Sequence, residues 1–256
     1  MEMENLIKTG RVFFAVAMGF FGSQYLTYAS GAGPAPGPPW TPGRPLWAYV
    51  SGIALIVAGL SIMTGKRARL TAVLLGTGLL LRVMTVHLPR VVTNLHDPGP
   101  WTSAGEMLAM CGGAFALAGT LSGGRLSSNL LSSTPDKMTQ LGRYLYALPL
   151  FIFGVQHLMY ARFVATLVPA WIPGQLFWAY FVGVAFFAAA LSIIVRKITP
   201  LAPILLGLMF LLWVILLHLP RVIAAPHDGK EWTSAFVALA MSGSAYAVAG
   251  TFAKRG

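Results

Sequence analysis

One stretch of the chain, His87-Leu-Pro-Arg90, His96-Asp97 and Trp101-Thr-Ser-Ala104, recurs as His218-Leu-Pro-Arg221, His227-Asp228 and Trp232-Thr-Ser-Ala235 with every internal spacing kept. The echo extends outward. Gly10-Arg11 matches Gly142-Arg143, Gly22 and Gln24 match Gly154 and Gln156, Tyr28 matches Tyr160, and Trp47-Ala-Tyr49 matches Trp178-Ala-Tyr180. A repeat unit of about 115 residues is far longer than a solenoid period and describes two fused copies of one domain. The boundaries are 10–122 for the first copy, 123–141 for a Gly/Ser-rich linker and 142–253 for the second. Any fold for this chain must therefore be made twice from the same plan.

Hydrophobic residues make up 56% of the chain, charged residues only 10%, and the mean hydropathy is +0.71. A water-soluble surface cannot be built from such a composition. Each copy holds four apolar runs near the roughly 20 residues that a helix needs to cross a hydrocarbon core. They fall at 12–29, 46–64, 70–88 and 103–121, then at 143–160, 176–195, 200–218 and 233–252. The expected fold is an all-α membrane protein of eight transmembrane helices, arranged as two parallel-oriented four-helix bundle repeats. The first run resembles a signal peptide, but its counterpart lies in mid-chain, so it reads as a retained helix.

Lys and Arg set the orientation. Lys8, Arg11, Lys66, Arg67, Arg69, Arg125, Lys137, Arg143, Arg196, Lys197, Lys254 and Arg255 fall on one side of the eight-span plan. Only Arg44, Arg90, Arg162, Arg221 and Lys230 fall on the other. Both termini are thus expected in the cytoplasm, in the cytoplasmic membrane of a prokaryote. The net charge of +11 reads as a topology signal and an attraction to anionic lipid, not as a nucleic-acid surface.

The repeated polar block lies on the outer side in both copies. Pro89 and Pro220 are expected to stop their helices, with Arg90 and Arg221 just beyond the ends and the Thr-Ser pairs at 102–103 and 233–234 capping the helices that follow. A structural reading covers much of this: caps, a loop held by Arg to Asp, and Trp101 and Trp232 as interface anchors. The functional reading gathers His87, Arg90, His96, Asp97, His157, His218, Arg221, His227 and Asp228 into an outer ligand pocket. No spacing matches a metal signature, and Cys111 alone forms no intrachain disulfide and reads as a packing residue.

The copies also differ. Arg82 has Trp213 as its counterpart, Glu106 has Val237, and His157 stands where the first copy has Tyr25. A lone Arg at a helix centre costs about 2.5–3.5 kcal/mol on insertion scales, and both charges sit in the same copy. A buried ion pair between Arg82 and Glu106 is therefore expected. In a regular helix Arg82 and His87, five residues apart, stand about 140° apart around the axis and do not share a face.

Phe153, Gly154, Gln156 and His157, then Val168-Pro-Ala-Trp-Ile-Pro173, Phe177, Trp178, Tyr180 and Gly183, and the late Glu231-Trp-Thr-Ser-Ala235 run resemble the DoxX-like four-helix membrane proteins, here in tandem. The resemblance implies a four-helix bundle and a link to the quinone pool or to a membrane redox enzyme as partner, with quinone as the cofactor to consider. It supplies no catalytic residues. Two other classes stay open on the residues alone: a non-catalytic assembly protein, and a small-solute or proton pathway.

Overall fold

The computed structural model describes residues 2–31, 43–121, 135–195 and 200–252. Residues 123–134 of the linker and the proline-rich segment 32–42 lie outside the described residues, as do Arg125, Arg196, Lys197, Lys254 and Arg255, whereas linker residues 135–141 are already helical.

Every described element is helical: α1 (Glu2–Ala29), α2 (Arg44–Thr64), α3 (Ala68–Arg82), α4 (Leu88–Thr93), α5 (Pro98–Thr120), α6 (Pro135–Met159), α7 (Ala161–Leu167), α8 (Gln175–Val195), α9 (Leu201–Trp213), α10 (Leu219–Ala224) and α11 (Gly229–Gly250). Six of the continuous helical runs are long and apolar enough to cross a membrane: Met3–Ala29, Arg44–Thr64, Ala68–Thr93, Gln175–Val195, Leu201–Ala224 and Gly229–Gly250. A seventh follows if α6 and α7, bent by 95° at Tyr160, count as one broken span. α5 is long enough, but Glu106 and its glycines hold down its apolarity. Large apolar side chains face outward, with Phe163 at 66% exposed and Leu46 at 65%. Such a surface belongs in a lipid bilayer.

The prolines do not stop their helices. Between α3 and α4, and again between α9 and α10, the chain takes one π-helical turn, Val83–His87 and Val214–His218, and continues to Thr93 and Ala224. A proline ring clashes with the carbonyl four residues back and removes a donor. The π turn relieves this by shifting the register to i+5, with Leu88 N–H donating to Val83 O and Leu219 N–H to Val214 O. Pro89 and Pro220 then follow the π turn directly, as the second residue of α4 and of α10.

The helices do not close into two separate four-helix bundles. Chain neighbours pack in sequence around a ring, and α1 completes it by packing on α2 and on α11 from the other copy. In the same way α6 packs on α5 and α8, and α5 meets α11 across the middle. First and last helices of opposite copies thus pair twice over. Both crossings are made by glycine. A Cβ on Gly142 would lie 2.5 Å from Ala116 N, and one on Gly112 would lie 2.5 Å from Tyr146 N. At the equivalent crossing a Cβ on Gly243 would lie 2.7 Å from Gly10 O and from Phe14 N. Small residues allow the backbones to approach this closely, and that contact replaces the hydrophobic drive that lipid cannot supply. One core, drawn from both copies, runs through the middle.

Two outcomes test this packing. Gly142→Val is expected to cost at least the roughly 1–3 kcal/mol of an overpacked core, read as a lower melting temperature in detergent, whereas Gly78→Val, where an added Cβ meets nothing within 4 Å, should leave it unchanged. Phe20 and Phe236 stack with ring centroids 3.8 Å apart. Cysteines at both positions, in a Cys111→Ser background, are expected to join α1 to α11 on oxidation, and a protease cut in the linker should then leave both halves on one band.

Candidate functional site

The two copies build the polar end of their helices alike. Asp97 and Asp228, not the Thr-Ser pairs, are the N-caps: Asp97 Oδ1 accepts from Gly99 N at 2.9 Å and Asp228 Oδ1 from Lys230 N at 2.8 Å. Extended backbone at the Asp, followed at once by helix, puts its carboxylate over the free N–H groups. Trp101 Nε1 donates to Leu95 O at 3.0 Å and Trp232 Nε1 to Pro226 O at 2.9 Å, so each indole closes its own loop. The hydroxyls of Thr102 and Thr233 turn back to Pro98 O and Gly229 O.

Across the ring the same groups are exchanged. Gln24 Nε2 donates to Thr233 Oγ1 at 2.8 Å and Gly229 O at 3.3 Å. Reciprocally, Gln156 Nε2 donates to Pro98 O and Thr102 Oγ1 donates to Gln156 Oε1, both at 3.0 Å. Deeper in, Cys111 Sγ donates to Gly76 O at 3.2 Å, and its counterpart Ser242 donates to Gly207 O at 2.8 Å. Cys111 therefore does the work of a hydroxyl in a packed helix pair.

The nine residues expected in one outer pocket are dispersed. Arg90, His96, Asp97, His227 and Asp228 are exposed, and no Arg to Asp ion pair holds either loop. Arg221, half-buried, donates from Nη2 to Leu167 O at 2.7 Å and so caps the C-terminus of α7. His157 does not approach His218 or His227 by any hydrogen bond. Its Nδ1 lies 2.8 Å from Phe153 O, and its ring stacks on Trp213 at 6.2 Å and meets Phe186 edge-on at 5.1 Å. Among the described residues no group of three His, Cys, Asp or Glu side chains is placed to hold a metal ion.

Arg82 and Glu106 form no ion pair. Glu106 shares its face of α5 with Gly113, seven residues on, which packs against Ser244 of α11. Cys111 and Phe115 of α5 both reach Gly76 of α3, and they lie five and nine positions from Glu106, about 140° and 180° away around the axis. Arg82 instead places its guanidinium 5.5 Å from the centre of the Tyr25 ring. Its Nε is buried without a hydrogen-bond partner, as is Nε2 of His87, which is only 8% exposed. The π turn brings positions 82 and 87, an i, i+5 pair, over one another, so the regular-helix angle between them does not apply. Arg82 and Arg90 both lie within electrostatic reach of His87.

Tyr25 and Arg82 correspond to His157 and Trp213. One copy pairs an aromatic on the first helix with a cation on the third; the other pairs an imidazole with an aromatic. Around it the second copy adds Phe186 and Phe210, packed on Trp213 at 6.0 and 5.2 Å, where the first has Leu55 and Leu79. Sequence reasoning missed Tyr25 as a partner of Arg82. The signal available was that both positions of this pair change together between the copies.

Comparison with known proteins returns no matching family model, no matching curated protein and no matching solved structure. The fold and the site therefore rest on this chain's own geometry.

Coupling between the paired positions is measurable. Tyr25→His and Arg82→Trp are each expected to destabilise, and the double variant to recover part of the loss, with an interaction of about 0.5–3 kcal/mol in a double-mutant cycle read from detergent melting. Strict additivity would show that the two side chains do not act as a pair.

Proposed function

We propose that the chain is a quinone-linked, redox-associated membrane subunit of the DoxX-like kind, with eight spans in two parallel repeats and both termini in the cytoplasm of a prokaryote. The lengths of α5 and α6, 23 and 25 residues, support counting each as a span. Their equivalents in the repeat, α11 and α1, are apolar enough to cross. An even number of spans per copy keeps the two copies parallel.

The observation that carries the function is a pair of buried nitrogens left without hydrogen-bond partners inside apolar spans, the guanidinium donor Arg82 Nε and the imidazole Nε2 of His87, which donates in its Nε2–H tautomer. Burying such groups unpaired costs several kcal/mol in hydrocarbon, and a ligand that brings carbonyl oxygens from the lipid phase removes that cost. A quinone head group has two such oxygens on a flat ring. Its redox chemistry belongs to the quinone and to a membrane enzyme partner; this chain binds and orients the ring. A proton or solute pathway gains nothing from the geometry, because Arg82 and Glu106 point to different neighbours.

Gentle extraction from the native membrane followed by native mass spectrometry is expected to retain a quinone mass on the protein. Protein carrying phospholipid alone, after quinone has been added back, would overturn the reading.

A further inference from the structure

We propose that the first copy alone carries the head-group site, formed by Tyr25, Arg82 and His87, and that the second copy holds the same position shut with aromatic side chains. The inference rests on the quinone reading for the identity of the ligand. It adds where the ligand sits and how many bind.

The fold does not require a cation at position 82. The residue before each π turn has φ −64° and ψ −39° in both copies, whether it is Arg82 or Trp213. His87 and His218 share φ −80°, and Leu88 and Leu219 share φ −60°. An indole therefore builds the same turn without placing a charge in hydrocarbon. Arg82 costs insertion free energy that Trp213 avoids, and Tyr25 offsets only part of it through the cation–π contact. The remainder calls for an acceptor that the described residues do not supply to Arg82 Nε.

Volume points the same way. In the second copy Phe186, Phe210, Trp213 and His157 pack ring on ring. At those positions the first copy has Leu55, Leu79, Arg82 and Tyr25, so three aromatic rings give way to two leucines and a flexible cation. The free histidine nitrogens differ as well. The nitrogen that is shut off from solvent without a hydrogen bond is Nε2 in His87, at the tip of the ring, and Nδ1 in His218, beside its own main chain. In the tautomer protonated at Nε2, His87 and the guanidinium within its electrostatic reach offer two donors to one ligand, and Tyr25 offers a flat face. The ligand this favours is a lipid-soluble ring carrying carbonyl oxygens, one per chain.

The test uses the full chain in phospholipid nanodiscs, titrated with a short-chain benzoquinone and a short-chain naphthoquinone, with stoichiometry read by calorimetry and native mass spectrometry. One quinone per chain is expected. Arg82→Gln and His87→Leu should each weaken binding at least tenfold, and His218→Gln should leave it unchanged. If Arg82→Gln does not fold, the Tyr25→His, Arg82→Trp double variant, which copies the second half's own pair, should fold and lose binding. Two quinones per chain, or full affinity in the folded Arg82 variants, would overturn the placement while leaving the quinone reading intact. No quinone on the wild-type chain would remove the reading and the placement together.

Discussion

The architecture depends on two crossings at which glycine lets helix backbones touch, Gly112 with Gly142 and Gly10 with Gly243. In lipid, helices gain little from hiding apolar side chains, since the solvent is as apolar as they are, and close van der Waals contact has to supply the association. These crossings join helices of opposite copies. They set the depth at which Gln24 meets Thr233 and Gln156 meets Thr102, and through α5 and α11 they position the helices that carry the polar ends.

Much of this was legible in the sequence and some was not, for identifiable reasons. Hydropathy located α2 and α8 to within two residues, because length and apolarity are properties of one segment. The ring closure was not legible. In a duplicated chain the face of a first helix that fits a fourth helix fits both copies of it, and nothing in residues 10–122 says which copy is the partner. Pro89 and Pro220 misled for a different reason: the rule that proline ends a helix assumes a four-residue register, and the chain changed the register instead.

The site shows the same limit. Charges drew attention to Arg82 and Glu106 because opposite signs in one copy invite pairing. Pairing needs a shared interface, and helical phase sends Glu106 towards α11. The contact that forms, Arg82 with Tyr25, joins an unlike pair that composition does not flag. Its trace in the sequence is a coordinated exchange, Tyr to His and Arg to Trp, against a background of conserved backbone angles. Most of the repeated polar residues turned out to build helix ends and the loops between them: Asp97 and Asp228 as caps, Trp101 and Trp232 as loop ties, Arg221 as a clamp on α7.

The exchange of helices between copies bears on how such a chain can diversify. Two unfused copies joined through these crossings would form a twofold dimer, and any residue placed in one subunit would be imposed on the other. Fusion removes that constraint while keeping the interface. One half can carry a charge that is costly in hydrocarbon, and the other, freed of it, can serve as a well-packed frame that keeps its neighbour folded.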